Sequence, residues 1–210
     1  VGKLVGGALT KGLLYQDHLN PVAELDDSNN VVSRFVYASK VHVPDYIIKD
    51  GVTYRMISDY LGSVRLVVDV TTGTIVQRLD YDEFGIVTQD TSPDFQPFAF
   101  AGGLYDSATQ LVRYGVRDYD ATIGRWLTKD PIRFEGDGEN LYLYTGNNPA
   151  TFIDNSGTST KKPGRPPSKR WKRWRRFWGG GLAWIVCALG SPVCEPEPPP
   201  KYNSVCGVRG

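Results

Sequence analysis

The first 113 residues alternate between hydrophobic and polar positions, a pattern that predicts short strands joined by tight turns. Residues 64–68 and 75–81 are β-branched or aromatic runs of strand length. Between them lies the turn sequence Thr71-Thr72-Gly73, in which glycine tolerates a positive φ. We therefore expect residues 14–157 to be rich in β-structure and to contain almost no helix.

The strand pattern repeats along the chain. Asp17 opens a turn that is followed by hydrophobic runs, and Asp59, 42 residues later, opens the same succession. Tyr37 and Tyr81 hold matching places 44 residues apart, and a third, looser copy predicts one strand over residues 111–119. Repeats of this period are typical of stacked β architectures, in which each unit packs on its neighbours. The sequence thus predicts an array of antiparallel β-hairpins.

Charge divides the chain into unlike parts. Residues 1–157 contain 13 Lys and Arg against 21 Asp and Glu, a net charge of −8, whereas residues 158–210 contain 11 against 2, a net charge of +9. An asymmetry of this size argues for segments with different partners. We expect a hairpin segment at 1–113, a turn-rich core end at 114–157 and a variable tail at 158–210.

The sequence predicts neither a signal peptide at its start nor a membrane-spanning helix. The first residues lack the succession of a signal peptide, and we expect the chain to begin within a longer protein. The sequence contains no run of eighteen apolar residues, so no ordinary membrane-spanning helix is expected.

The core end, residues 114–157, carries a dense set of motifs at fixed spacing. They are Arg117-Asp118-Tyr119-Asp120, Gly124-Arg125-Trp126, Asp130-Pro131-Ile132, Asn140-Leu141-Tyr142-Leu143-Tyr144 and Asn147-Asn148-Pro149. In these residues the segment resembles the Rhs repeat-associated core, the end of proteins of the Rhs/YD-repeat family. The resemblance extends weakly back to about Leu14.

The resemblance implies both a fold and a chemistry. Family hairpins wind into a spiralling hollow β-shell that the core closes at one end. In members whose core is an autoprotease, two Asp-Pro-x-Gly motifs supply two aspartates, and the bond just beyond the second motif is cut. Carried over by position, the catalytic residues are Asp130 and Asp154, and the cleavage region is Gly157 and Thr158. One carboxyl would act as acid and the other as base toward water.

The sequence departs from this family motif at three places. Arg133 replaces the first glycine, Asn155 replaces the second proline, and Thr158 stands where an apolar residue is usual. Read from residue type alone, Asp130 and Asp154 simply begin tight turns. A catalytic pair and a pair of turn formers are both open interpretations of these two aspartates.

No metal site and no cofactor are expected. His18 and His42 are the only histidines, and no cysteine or carboxylate cluster accompanies them at ligand spacing, so we expect surface or cross-strand roles. All three cysteines lie in the tail, and their spacing matches no zinc pattern.

The tail is basic and rich in tryptophan. Its tryptophans recur at helical spacing among cations, which predicts a helix within about residues 168–189. Such a face suits an anionic membrane surface or nucleic acid, and an unfolded basic linker is the third interpretation. The residues expected to make the contact are Arg165, Lys169, Arg170, Trp171, Arg173, Trp174, Arg175, Arg176 and Trp178. Because residues 158–210 contain no His and no Asp, the tail is poorly equipped for hydrolysis.

Two functions fit this sequence. The first is the C-terminal part of a bacterial Rhs-type polymorphic toxin, secreted by a specialised route, in which a delivery scaffold cuts itself and frees a short effector. The second is a non-catalytic structural or cell-surface member of the family with a degenerate tail. The expected partners are the upstream YD-repeat shell, an immunity protein, and either a membrane or nucleic acid for the tail.

Overall fold

The structure is a computed structural model that describes residues 2–133 and 139–163. Thirteen strands within these residues form two antiparallel sheets. The first sheet contains β1 (Gly2–Val5), β2 (Ala8–Tyr15), β3 (Pro21–Leu25), β4 (Val31–Val36), β5 (Tyr46–Lys49), β6 (Val52–Ser58), β7 (Val64–Asp69), β8 (Ile75–Tyr81) and β9 (Val87–Asp90). The second contains β10 (Leu104–Asp106), β11 (Leu111–Tyr114), β12 (Arg117–Asp120) and β13 (Arg125–Trp126). Short 3-10 turns lie at Phe100–Gly102 and Thr145–Asn147. The predicted mainly β fold is confirmed.

Each strand pairs with the next one along the chain, so the first sheet is a continuous meander. Aspartates make its turns because a carboxylate can accept hydrogen bonds from the backbone two residues on. Asp17 Oδ1 accepts from Leu19 N at 2.8 Å, and Asp59 Oδ1 accepts from Leu61 N at 3.0 Å. The two turns that the repeat pattern matched therefore share one local chemistry.

The matched tyrosines share a longer-range contact as well. The Tyr37 hydroxyl donates to Pro21 O, and the Tyr81 hydroxyl donates to Val64 O, both at 2.9 Å. Each acceptor is the first residue of a strand that follows one of the two aspartate turns. Tyrosine suits this position because its ring packs inward while its hydroxyl keeps a partner. The two repeats matched in the sequence therefore share both the aspartate turn and the tyrosine hydrogen bond.

One face of the first sheet is buried by the chain that follows β9. Alternation puts Ser33 and Phe35 of β4 on this face, and Phe35 packs edge-on against Phe98 with ring centroids 5.0 Å apart. The remaining apolar members of this cluster are Val43, Ile47, Met56, Val64, Val67 and Leu79. Burial of this face fixes where the second sheet begins.

The second sheet carries an aromatic core. Tyr114, Tyr119, Trp126 and Tyr144 are each at most 2% exposed, and their rings contact one another in stacked, tilted and edge-on pairs. The expected single strand over residues 111–119 is wrong, because the chain turns between Tyr114 and Arg117 to form the β11–β12 hairpin. This hairpin delivers Arg117 to the cluster.

Two of the expectations from the sequence stay predictions. The predicted tail helix within residues 168–189 lies outside the described residues, and the three-part division of the chain stays a prediction. Within residues 2–133 and 139–163, no helix is long and apolar enough to cross a membrane.

Candidate functional site: two aspartates on one buried arginine

Arg117, the first residue of β12, is a buried cation at the centre of the site. Its side chain is 3% exposed, and its guanidinium lies 4.1 Å from the Trp126 ring centroid. Nη1 donates to Leu141 O at 3.2 Å. A cation so far from solvent needs negative partners, because burial of an unpaired charge is costly.

The two predicted aspartates are those partners. Arg117 Nη2 lies 3.0 Å from Asp130 Oδ2 and 3.3 Å from Asp154 Oδ2. Both carboxylates are buried, with side-chain exposures of 10% and 3%. The structure therefore brings together two residues that stand 24 positions apart in the sequence.

In each aspartate, the two carboxylate oxygens have different partners. Asp130 Oδ1 accepts from Ile132 N at 2.9 Å, which closes the turn after Asp130. Asp154 Oδ1 accepts from the Ser156 hydroxyl at 2.9 Å and from Thr158 N at 3.2 Å. In both residues Oδ1 makes the turn and Oδ2 faces Arg117. The turn-forming interpretation therefore holds for the Oδ1 atoms, whereas the catalytic pair stays a prediction.

A small cavity lies among these groups. Its volume is about 20 Å³, enough for about one water molecule. Arg117, Asp130 and Asp154 line it from the body of the protein, and Thr160 lines it from the segment beyond the second motif. The cavity therefore borders both carboxylates and, through Thr160, the segment just beyond Gly157 and Thr158.

The expected cleavage region is tightly packed. Gly157 has φ 69, and a Cβ atom at this position would lie 2.5 Å from Tyr114 O. Glycine is needed here because the backbone passes too close to the β11–β12 hairpin for a side chain. Thr158 follows with its amide on Asp154. The chain then returns to form an isolated antiparallel bridge between Ile153 and Lys161.

The three departures from the family motif have distinct structural outcomes. Arg133 has φ 52, in the left-handed region where the family glycine would be unstrained. Asn155 is buried, and its side-chain amide donates to Ala101 O at 3.3 Å, so a hydrogen bond fixes the turn where the family has proline. The Thr158 hydroxyl lies 3.0 Å from that of Ser156, in a polar environment that suits threonine.

The two histidines have different positions. His18 is exposed, whereas His42 is half-buried in the loop between β4 and β5, with Nε2 2.9 Å from Lys161 Nζ. Burial, followed by the Lys161 charge, lowers the pKa of His42 to about 4. Both histidines line a larger pocket of about 380 Å³ that also reaches Asp17, Arg113 and Asn155.

The sequence does not mark Arg117 as a site residue, although it is the first residue of the motif Arg117-Asp118-Tyr119-Asp120. An arginine that lies between Val116 and Asp118 in the sequence gives no sign of burial, and its guanidinium meets Asp130 and Asp154 only in the folded chain. The predicted contact residues of the tail, from Arg165 to Trp178, lie outside the described residues.

The chain matches one family model over most of its length. Residues 6–150 match the family described as Teneurin YD-shell. Teneurin-3 from Mus musculus is 34% identical over 137 residues, which are 60% of this chain and 5% of that protein. Teneurin-1 from Gallus gallus is 31% identical over 190 residues, which are 86% of this chain and 7% of that protein. The chain thus spans only a small part of these relatives.

A solved structure shares the fold. The Photorhabdus luminescens Tc holotoxin pore has a TM-score of 0.50 to this chain at 19% identity, over 80% of this chain and 10% of that one. Identity at this level relates the two proteins by fold alone.

Proposed function

The chain belongs to the Teneurin YD-shell family, and we propose that it is the closing end of the β-shell of an Rhs-type toxin that cuts itself after the core. The nine-stranded meander is the scaffold. The Arg117, Asp130 and Asp154 cluster is the proposed protease site. The product of the cut is the segment that follows it, a short effector secreted with the shell.

The observation that carries this proposal is the convergence of two buried carboxylates, one water-sized cavity and the cleavage region. Asp130 Oδ2 and Asp154 Oδ2 meet at one guanidinium nitrogen, and Thr160 borders the same cavity. Like charges held this close disfavour double ionisation, so two carboxylates at one cavity can share one proton. A pair holding one proton has both the base and the acid that hydrolysis needs.

The proposed step is a hydrolysis. The ionised carboxylate takes a proton from water as the water oxygen attacks a backbone carbonyl carbon between Gly157 and Lys161. The protonated carboxyl gives its proton to the leaving nitrogen, so the C–N bond breaks into a carboxylic acid and an amine. Arg117 is the positioning residue, because it keeps both Oδ2 atoms at the cavity while both Oδ1 atoms hold their turns.

The test is the intact mass of the full-length protein with its upstream shell. We expect the wild type to be cut between about Gly157 and Lys161, and Asp130→Asn and Asp154→Asn to stay whole. Asparagine can still accept the turn hydrogen bonds but loses the charge that faces Arg117, so thermal unfolding of the same samples must show that each variant is folded. Asp69→Asn is the matched control, because Asp69 Oδ1 also closes a turn, at Thr71 N, but lies in the first sheet. A wild type that stays whole contradicts the proposed protease.

A non-catalytic scaffold at a cell surface is the second candidate. It is supported by the turn-forming role of both Oδ1 atoms and by the teneurin relatives. On this alternative the cluster only fixes the end of the shell, and the wild type and both asparagine variants would all stay whole.

The proposed partners are the upstream shell, an immunity protein that binds the effector, and either an anionic membrane surface or nucleic acid for the tail. Salt separates the last two, because binding to duplex DNA weakens by about 0.9 in log affinity per phosphate neutralised for each log unit of salt. Burial of tryptophan at a bilayer is not screened in this way. We expect a 158–210 peptide to stay on anionic vesicles at high salt and to leave DNA. Replacement of Trp171, Trp174 and Trp178 by alanine should abolish the residual vesicle binding.

A further inference from the structure

The segment that follows the turn Asp154-Asn155-Ser156-Gly157 is held to the body by two contacts, one of its backbone and one of a side chain. We call residues 158–163 the strap. Its backbone pairs with the body where Ile153 N donates to Lys161 O at 2.9 Å and Lys161 N donates to Ile153 O at 2.8 Å. Thr160, in the middle of the strap, lines the cavity between the two aspartates. The position of Lys161 therefore decides whether the strap stays on the site.

The side chain of Lys161 makes the second contact. Its Nζ lies 2.9 Å from His42 Nε2, and both residues are half-buried. An ammonium group can only donate, so Nε2 accepts, and a neutral ring then carries its proton on Nδ1. Protonation of the ring would place two cations 2.9 Å apart in a partly buried site, which neither burial nor charge favours.

The histidine side of this contact is fixed and the strap side is not. The residues that follow His42, Val43 and Pro44, are buried in the first core cluster or fully enclosed. Within the described residues, the strap pairs with the body through one isolated bridge, Ile153 with Lys161. Repulsion between His42 and Lys161 is therefore relieved by displacement of the strap.

The other charged groups around His42 do not cancel this repulsion. Asp17, Tyr15 and His18 face its pocket from β2 and the turn after it, and Arg113 faces it from β11. Asp17 opposes the lowering of the His42 pKa, but its effect is smaller than those of burial and of Lys161. The Arg113 guanidinium is already paired with Asp118 at 2.7 Å. The pocket of about 380 Å³ gives solvent protons a route to the ring.

We propose that His42 and Lys161 form an acid-sensitive clasp, which holds the strap against the two-aspartate cavity at neutral pH and releases it in acid. The clasp itself goes beyond the proposed protease, and only its consequence for cleavage rests on that function. Cut or uncut, the segment after Lys161 stays attached to the body while the clasp is closed.

The direction of the pH effect follows from proton uptake on release. The pKa of His42 is about 4 when clasped, and its ordinary value is 6.5. The open state therefore binds the proton more tightly, and the clasp is intact above pH 6.5 and weakens as the pH falls toward 4. Burial is the larger cause of the shift and is relieved only in part when the strap moves, so the full shift sets an upper limit of about 30-fold on the change in opening between pH 7.5 and pH 5.0.

Hydrogen exchange of the full chain tests the clasp. Mass spectrometry would compare protection of the peptide containing Ile153 and Lys161 at pH 7.5 and pH 5.0, after correction for intrinsic rates. We expect the wild type to lose protection at pH 5.0 by more than threefold and by at most about 30-fold, the limit set by linkage. His42→Gln retains an acceptor for Lys161 but does not titrate, so its corrected protection should be the same at both pH values. His18→Gln, in the same pocket, is the control and should behave as the wild type.

Peptides from β6 and β7 report global unfolding and should keep their protection in every variant. A wild type that changes less than threefold, or a His42→Gln variant that keeps the full pH dependence, overturns the clasp. Intact mass from the same samples separates this proposal from cleavage. Uncut chain with pH-dependent protection contradicts the protease and supports the clasp, whereas cut chain with constant protection does the reverse.

Discussion

The backbone of Gly115 packs directly on the carbonyl group of Ser156. A Cβ atom at Gly115 would lie 2.4 Å from Ser156 O and 2.8 Å from Ser156 C, and the next amide, Val116 N, donates to the same oxygen at 3.3 Å. Gly115 turns the β11–β12 hairpin with φ 52. The hairpin that delivers Arg117 is thus in backbone contact with the turn that delivers Asp154.

Gly115→Ala should therefore destabilise the protein far more than an ordinary turn substitution. The new methyl group meets backbone atoms that cannot move without displacing the Asp154 turn, and we expect a loss of about 2–4 kcal/mol in the free energy of unfolding. Gly73→Ala is the matched control, because Gly73 has φ 74 with no atom within 4 Å of its Cβ position. The left-handed conformation alone should cost about 1 kcal/mol there. Denaturant unfolding measures both, and equal losses would contradict the contact.

The hairpin array could be predicted from the sequence because its signals are local. The aspartate turns and the strand alternation depend on residues within a few positions of one another, as the bonds of Asp17 and Asp59 show. The β11–β12 turn was missed because residues 111–119 read as one run of strand formers. Gly115 turns the chain there. Glycine is required at this position because a Cβ atom would collide with the carbonyl oxygen of Ser156, which is distant in the sequence.

The matched tyrosines provide a test of the repeat. Tyr37→Phe and Tyr81→Phe each remove a hydroxyl and leave a strand carbonyl without its donor, so each should cost about 1 kcal/mol. Tyr46→Phe is the control, since the Tyr46 ring lies under Arg55 and its hydroxyl has no hydrogen-bond partner among the described residues. Thermal unfolding would show whether the losses at Tyr37 and Tyr81 are alike. A loss at one tyrosine only would mean that the two repeats differ in energy although they share a contact.

Arg133→Gly should stabilise the protein. Arg133 has φ 52, a conformation that costs a residue with a side chain about 1 kcal/mol, and glycine removes that cost at some loss of unfolded-state entropy. We expect a net gain of about 0.5 kcal/mol in the free energy of unfolding. Arg133→Ala keeps the strain and serves as the control for loss of the side chain. If alanine stabilises as much as glycine, the arginine side chain rather than its backbone is unfavourable.

The candidate site was predictable in part. Asp130 and Asp154 came from motif positions that local turn chemistry preserves, and each still makes its turn. Arg117 could not be assigned, because its role depends on burial and on a meeting of three distant segments. Asn155 stands where the family motif has proline, and its side chain bonds Ala101 O, a compensation that depends on tertiary packing.

Replacement of Arg117 tests whether the cluster is a buried charge network. Arg117→Met keeps much of the side-chain length but leaves two buried carboxylates without their cation, which should cost about 3–5 kcal/mol. Arg113→Met breaks the neighbouring pair with Asp118, whose side chains are 48% and 32% exposed, and should cost less than about 1 kcal/mol. Both arginines lie on the β11–β12 hairpin, so strand propensity affects the two variants alike.

The pH dependence of the Arg117→Met deficit gives a sharper criterion than its size. Loss of the guanidinium charge makes proton uptake by the buried carboxylates more favourable in the variant, so the gap in unfolding free energy between wild type and variant should narrow as the pH is lowered from 7 to 4. A packing defect would cost the same at both values. A deficit that is constant with pH, or no larger than that of Arg113→Met, would mean that the two aspartates do not depend on Arg117 for their charge balance.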